Sequence, residues 1–544
     1  MSAEGCVFPV PRRETVFGAF EASAAAFPER GALCAPAMSG RAYAPDGVEL
    51  SYAEVSERVE RLRRLYAASG YGVGHRVALL LENRPEFHLH WFALNALGVS
   101  IVPVNPAYRD DELSYLFEHS EAELLVSVPE RVEGMGTVAR ARPKPLPVVD
   151  AAALPARLPP PSSPTRGDAS KPRDEAALLY TSGTTGRPKG CRLSNAYFIQ
   201  AGRWYIEAGG AMTMRPGRER LINPLPLYHA NALAISSMAM LMSGGCIIMA
   251  DRFHPRSWWR DVAATEATII HYLGVMPPLL LGLAPTPEER RHKVRFGAGA
   301  GVDPAHHQAF EERFGFPLVE GWGMTEVAMP AWASREPRET QTRAFGRQLS
   351  GVEFRVVDEH DAEVPVGAFG ELVLRSRGPE PRALQFSDYL KDEAATEAAW
   401  RGGWFHTGDV VTRSADGMHY FVDRKKNIIR RSGENIAAAE VEAVLQAHEE
   451  VAQAAVIAVP DELREEEVFA CVVPAAGKSP SAEALQDWCF ARLAYYKAPG
   501  YVLLVDALPT TGTQKVHKIR LFPAGHDPRT EVTCIDLRHR KKRA

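Results

Sequence analysis

A chain of 544 residues, 46% of them hydrophobic, has more apolar material than one ordinary core takes up, so a large body with at least one further domain is expected. A formal net charge of −4 with 24% charged residues exerts no overall pull toward nucleic acid or an anionic membrane. The seven cysteines (Cys6, Cys34, Cys191, Cys246, Cys471, Cys489 and Cys534) are dispersed and include no C-x-x-C pair, which argues against a disulfide framework and a zinc site and points to a reducing, cytoplasmic setting.

In chain order, the opening MSAEGCVFPVPRRE lacks the apolar centre of a signal peptide. Residues 77–81 form a short apolar run ended by Asn-Arg-Pro and read as a buried strand. Residues 89–97 read as a buried helix and 101–104 as a strand. Asp110 or Asp111 then caps a helix whose Leu113, Leu116 and Phe117 share one face. Residues 124–128 are the next strand. Strands alternating with helices imply a parallel α/β sheet. Residues 142–175, rich in Pro, Ser and charge around Pro159-Pro160-Pro161, read as an exposed connection without a packed element. The apolar stretch 230–250 is interrupted by Asn231, Ser236, Ser237, Ser243, Gly244 and Gly245. It predicts a buried helix, a turn and a buried strand, and no membrane span. His306 and His307 are adjacent, so they point to different helix faces and make a poor metal pair; both are expected at the surface. From about 350 to 425, short strands at 352–358, 371–375 and 419–422 suggest a small β-rich subdomain. Strands near 455–459, 468–473 and 502–505 and a helix near 482–493 then suggest a small α+β domain. The basic tail RHRKKRA reads as a solvated, frayed terminus.

The sharpest local feature is Tyr180-Thr181-Ser182-Gly183-Thr184-Thr185-Gly186-Arg187-Pro188-Lys189-Gly190, which leaves the end of the strand-like run 176–179. Glycines let backbone N–H groups turn toward an anion, hydroxyls add donors and a lysine adds charge, so this is a loop for polyphosphate. Its spacing is not that of a Walker A loop. A plain Gly/Ser/Thr turn is the alternative, weakened by the Pro-Lys-Gly exit. A second glycine run, Gly297-Ala298-Gly299-Ala300-Gly301, with Glu320 about 20 residues on, mimics a dinucleotide fingerprint. Its third glycine fails, since Pro304 or Val302 stands there.

The phosphate loop resembles the signature of the adenylate-forming superfamily, which includes acyl-CoA synthetases, the adenylation domains of peptide synthetases and beetle luciferases. The resemblance runs from about residue 50 to 522 with motifs in the family's order. Pro224-Leu225-Pro226-Leu227-Tyr228-His229 resembles the acyl-pocket segment, and Gly321-Trp322-Gly323-Met324-Thr325-Glu326 the nucleotide turn. Gly403-Trp404-Phe405-His406-Thr407-Gly408-Asp409 resembles the ribose motif. Asp423-Arg424-Lys425-Lys426, with Ser432-Gly433-Glu434-Asn435, resembles the hinge, and residues 508–518 the terminal lysine motif.

The resemblance implies an ATP-dependent ligase. A carboxylate attacks the α-phosphorus of ATP to give acyl-AMP and pyrophosphate, and the thiol of coenzyme A then displaces AMP. The implied fold is α/β: a large N-terminal domain (1–425) of parallel-rich α/β subdomains with a small β-rich subdomain, then a small mobile α+β C-terminal domain (426–544). Lys515 would stabilise charge as adenylate forms, although Thr513-Gln514-Lys515 replaces the usual Thr-Gly-Lys. Thr184 and Glu326 would act in catalysis and hold Mg²⁺, and His229 would lie at the acyl pocket, with a plain core histidine as the alternative. Nucleotide contacts are implied for Thr181, Ser182, Gly183, Thr185, Gly186, Lys189, Gly299, Ala300, Gly301, Glu320, Gly321, Trp322 (stacked on adenine), Gly323, Met324 and Thr325. Asp409 would accept from both ribose hydroxyls, with Arg424 nearby. Lys426 would be the hinge and Gly433 would admit the pantetheine arm. The residues after Lys515 are too few for a carrier module, and His229 replaces the acidic residue common in amino-acid activators. The chain therefore resembles general acid–CoA ligases, of carnitine/crotonobetaine or fatty-acid type, with the acid unspecified and the oligomeric state open, a homodimer included. Asp388-Tyr389, where the family often has Gly-Tyr, is expected to alter a surface turn. Another acceptor, a non-catalytic nucleotide-binding homologue and a nicotinamide oxidoreductase are the competing readings.

Overall fold

The structure, a computed structural model, describes residues 7–11, 13–140, 144–167, 170–181, 188–431, 434–462, 464–493, 495–510, 516–523 and 525–541. Two compact units divide it: Met1–Phe354 with Leu374–Phe405, and Arg355–Val373 with His406–Ala544.

The first unit holds two sheets. One runs in the order Val148–Asp150, Leu124–Ser127, Arg76–Leu80, Ser100–Pro103, Glu175–Thr181, Lys189–Ser194. Every pair is parallel except the last, an antiparallel hairpin in which Thr181 pairs with Lys189. The strands and the helix Pro85–Ala96 fall within a residue or a few of the sequence expectation. Leu113, Leu116 and Phe117 do share the buried face of the helix Asp110–Ser120 and pack on Ala78, Leu80, Val102 and Leu125. Each such side chain contributes about 1.5–3 kcal/mol on burial. The cap differs from expectation. Arg109 holds the cap position, and its N–H donates to Glu112 at 2.9 Å, while Asp110 and Asp111 sit inside the first turn, where their charge suits the helix dipole.

The second sheet has a parallel centre in the order Gly31–Ala35, Cys246–Met249, Arg220–Asn223, Ile269–Leu273, Phe296–Ala300, Leu318–Met324. Val48–Ser51 adds antiparallel at one side, and Ala328–Trp332 and Ala344–Gln348 at the other. The interrupted apolar stretch resolves as expected: a π-helical turn Asn231–Ser236, the buried helix Ser237–Ser243, and the buried strand Cys246–Met249. Gly244 ends the helix at φ 67°, a conformation that favours glycine.

Residues 144–167 are better packed than the sequence suggested. Leu158 is buried, the Tyr71 hydroxyl donates to Pro159 O at 2.8 Å, and Arg166 N–H donates to Val73 O at 2.8 Å. Proline-rich backbone has few donors to satisfy, so it can lie flat on a core without forming an element. His307 also departs from the surface reading. It is buried, with Nε2 2.9 Å from Leu318 O and 3.1 Å from Glu311 Oε1.

In the second unit, Phe405–Arg413 and His419–Arg424 form an antiparallel pair with Asp409 opposite Arg424. Beyond it the hairpin Ile428–Arg431/Glu434–Ala437, the long antiparallel pair Val451–Asp461/Glu465–Pro474, and Tyr501–Leu504 build a small sheet. Side chains alternate across it. Val456, Val468, Ala470 and Val502 pack on the helices Ala438–Gln446 and Ala482–Phe490. Ala455, Phe469, Cys471, Tyr501 and Leu503 pack on Phe522 at the other face. The described part of the basic tail is anchored, not frayed. Arg540 pairs with Asp487 at 2.7 Å, and Lys541 is buried with Nζ 2.5 Å from Glu467 Oε1 and 2.9 Å from Tyr496 O. Glu467 also binds Arg431 Nε at 2.8 Å, so charge is satisfied from both sides, which composition alone does not reveal.

Candidate active site

In an open α/β sheet, ligands bind outside the carboxyl ends of the parallel strands. Four segments leave that edge of the second sheet: 224–229 after Asn223, Gly274 after Leu273, Gly301 after Ala300, and Thr325-Glu326 after Met324. They include His229, the glycine run and the nucleotide turn, which the sequence had singled out separately. The backbones there touch. A Cβ on Gly274 would lie 1.7 Å from Gly301 O, and one on Gly299 would lie 2.3 Å from Tyr272 O. Glycine is required at both for packing.

Glu320 ties this edge together. Its carboxylate accepts from the Gly301 N–H at 2.7 Å and the Tyr272 hydroxyl at 2.5 Å. Burial pushes its pKa up against these bonds. Trp322 is buried between Phe345 and Phe354, at ring separations of 5.9 and 5.8 Å. Gly321 and Gly323 sit against Trp332 and the Ala328 carbonyl, and Met324 opposes Ala328, whose φ of 55° marks a strained turn. The Thr325 carbonyl accepts from Tyr197 OH at 2.8 Å. Glu326 is 5% exposed, and its Oε1 accepts from the Tyr389 hydroxyl at 2.8 Å.

Tyr389 therefore corrects the surface-turn expectation. It is buried, and its ring lies 4.8 Å from Lys189 Nζ. Burial and the Glu326 carboxylate both push the phenol pKa far up, so it remains a donor. Asp388 beside it pairs with Arg192 at 3.0 Å. The Asp388-Tyr389 pair marks the position in the sequence, but not its role, because Glu326 is 63 positions away. Thr181 and Lys189 are register partners at the mouth of the hairpin. Ser182, Gly183, Thr184, Thr185 and Gly186 lie outside the described residues, as do Gly433 and Lys515 and the side chain of Lys426.

His229 is half-buried, its ring 4.6 Å from that of Tyr228. Its segment is pinned by Asn83, which accepts from Leu227 N–H at 3.0 Å and donates to Leu225 O at 2.9 Å. In the second unit Asp409 is 2% exposed and lies 2.8 Å from Arg424 Nε. Sequence reasoning missed Glu371, which accepts from Gly408 N–H at 3.1 Å and pairs with Lys425 Nζ at 2.8 Å. Burial pushes its pKa up, but hydrogen bonds from His406 and Lys425 outweigh this and hold it at about 2.

No group of three His, Cys, Asp or Glu among the described residues assembles into a metal cluster. Mg²⁺ does not need one: it is held through one or two carboxylates plus substrate phosphates and water. A single buried carboxylate oriented by a phenol, as at Glu326, fits that demand. No helix among the described residues is long and apolar enough to cross a membrane.

A two-sheet α/β body with a glycine-lined carboxyl edge and a separate small sheet domain are the architecture of an adenylate-forming enzyme. The family description "AMP-binding enzyme" matches residues 20–380, and "AMP-binding enzyme C-terminal domain" matches 440–515. The chain is 32% identical over 496 residues to a sulfoacetate–CoA ligase of Cupriavidus necator, covering 88% of this chain and 93% of that protein. It is 28% identical over 493 residues to a crotonobetaine/carnitine–CoA ligase of Proteus mirabilis, covering 87% and 93%. Among solved structures, ATP-bound MatB from Rhodopseudomonas palustris superposes with a TM-score of 0.79 at 26% identity, over 94% of this chain and 98% of that one. O-succinylbenzoate coenzyme A synthetase from Bacillus subtilis, with AMP, gives 0.78 at 25% identity over 93% and 98%. The chain belongs to the AMP-binding enzyme family, and its reaction is that of the AMP-forming acid–CoA ligases.

Proposed function

We propose that this chain activates a small-molecule carboxylic acid through two half-reactions, with its parts divided as follows. Residues 1–425 bind ATP and the acid, and residues 426–544 carry Lys515 to the reacting phosphate. The separate family matches at 20–380 and 440–515, and the short turn Lys425–Asn427 between two strands, support a boundary there. Thr181, Ser182, Gly183, Thr185, Gly186 and Lys189 cradle phosphates. Asp409 accepts from the ribose hydroxyls with Arg424 holding its carboxylate. The turn 320–325 and the glycine run receive the adenine, and Gly433 leaves room for the pantetheine arm. Thr184 and Glu326 hold Mg²⁺, which neutralises phosphate charge when bound. His229 lines the acyl site, and Lys515 stabilises the charge that develops between carboxylate and α-phosphate. The free cysteines, five of the six described being buried, suit a reducing cytoplasm.

The observation that carries this reading is the convergence of the His229, glycine-run and Glu326 segments on one carboxyl edge of the sheet. The test is pyrophosphate release from ATP and Mg²⁺ across a panel of acids, with and without CoA, for wild type and Lys515→Ala. The expected result is release with one class of acid, a CoA thioester as product, and loss of adenylation by at least about 100-fold in the variant, as for removal of one electrostatic stabiliser. Nucleotide binding without release for any acid would overturn it.

A further inference from the structure

Resting on that placement of the acyl site, we infer that Asn231 presents a fixed N–H donor to the acid and selects substrates with a second oxygen acceptor along the acyl chain. Asn231 opens the π-helical turn that follows the His229 segment, and it is half-buried. Its orientation is settled by a chain of bonds starting at the backbone. The Leu225 N–H can only donate, and it lies 2.8 Å from Asn223 Oδ1, so the amide nitrogen of Asn223 faces the other way. That nitrogen donates to Asn231 Oδ1 at 3.0 Å and to Ser236 Oγ at 2.6 Å.

His271 adds a second constraint. Burial pulls its pKa down to about 3, so the ring is neutral with one N–H. The Tyr205 hydroxyl lies 2.9 Å from Nε2, while Nδ1 is 3.0 Å from Asn231 Oδ1 and 2.8 Å from Ser236 Oγ. Ser236 spends its own proton on the Asn231 carbonyl at 3.0 Å. One assignment satisfies His271, Tyr205, Ser236 and Asn231 Oδ1 together: Tyr205 donates to Nε2, and Nδ1–H donates toward Asn231 and Ser236. Asn231 Oδ1 is thus held inward by donors from Asn223 and His271, and a flipped amide would set donor against donor. The two N–H bonds of Asn231 Nδ2 point the opposite way and have no partner among the described residues.

The place of this donor follows from the sheet. Asn223 ends the strand Arg220–Asn223, and Asn231 follows the segment 224–229 that leaves that end, while His271 reaches it from the middle of the neighbouring strand Ile269–Leu273. The donor therefore stands at the carboxyl edge that gathers the glycine run and the Glu326 segment. A rigid, pre-paired amide loses little on meeting an acceptor and leaves an unmet donor when an apolar chain lies against it.

The experiment measures kcat/KM for CoA-thioester formation with pairs of equal length: propanoate against 3-hydroxypropanoate and malonate, butanoate against 3-hydroxybutanoate and succinate. Wild type is expected to favour the acceptor-bearing partner. Asn231→Leu is expected to lower it by about 3–10-fold for a hydroxyl and about 10–100-fold for an anion, with the apolar acid within about threefold. Asn231→Asp separates the two acceptors, since a carboxylate repels an anionic chain but accepts from a hydroxyl. The apolar acid and the thermal midpoint of each variant report folding. An equal loss for both members of a pair in a folded variant, or a wild-type preference for the apolar acids, overturns the role of Asn231 while leaving the ligase reading intact. Absence of pyrophosphate release with every acid in the panel overturns both.

Discussion

Tyr389→Phe removes one oxygen atom and tests the link between the phenol and Glu326. The ring keeps its packing 4.7 Å from Phe386 and its place 4.8 Å from Lys189 Nζ, so only the 2.8 Å donation to Glu326 is lost. A hydrogen bond to a charged acceptor contributes about 1.5–3 kcal/mol, and partners that orient a metal ligand typically change metal affinity or activity by about 10–100-fold. The two scales agree, because tenfold corresponds to about 1.4 kcal/mol. The assay is pyrophosphate release as a function of free Mg²⁺ at saturating ATP and acid. The variant is expected to need about 10–100-fold more Mg²⁺, with the response to acid concentration nearly unchanged. Tyr389→Leu, which also removes the ring beside Lys189, is expected to raise KM for ATP as well. An unchanged Mg²⁺ dependence in a folded Tyr389→Phe protein would refute the reasoning and reduce Tyr389 to a packing residue.

The buried triad of the second unit orders two substitutions. Glu467→Gln leaves Arg431 and Lys541 as uncompensated neighbours and is expected to cost about 3–5 kcal/mol in denaturant unfolding, while Lys541→Met leaves a balanced Arg431–Glu467 pair and costs far less. Burial pulls Lys541 down to about 8 even with Glu467 holding it up, so removing Glu467 lowers it further. The variant then discharges Lys541 at a lower pH than the wild type, and the Glu467→Gln penalty should shrink as pH rises toward 8 and stay level above it, whereas a penalty that grows with pH would contradict this. Glu371 works in the opposite sense. Its folded pKa of about 2 lies below the ordinary 4.5, so the stability it contributes is fully present above 4.5 and is lost as pH falls toward 2. Glu371→Gln should flatten unfolding free energy between pH 5 and 3 relative to wild type, and an unaltered slope would rule the pairing out.

These tests fall where sequence and structure part company. The sequence was legible where the signal is periodic or local. Val456, Val468 and Ala470 alternate with Ala455 and Phe469, and period 2 assigns them to opposite faces before any coordinates exist. The motif segments around His229, Gly299 and Glu326 were each recognisable, and the parallel strand order brings their ends to one edge. What stayed hidden are bonds between residues far apart in the chain. Tyr389 and Glu326 are separated by 63 positions, and Lys541 and Glu467 by 74, so a tyrosine after a charged turn and a basic tail both look like surface. Asn231 shows the limit most sharply. Its neighbours Asn223, Ser236 and His271 are all visible in the sequence, yet the direction of its donor depends on which way the Leu225 N–H forces another amide to face. Residue type gives the chemistry available at a site. Only the bond chain from the backbone outward says which half of an amide the substrate meets.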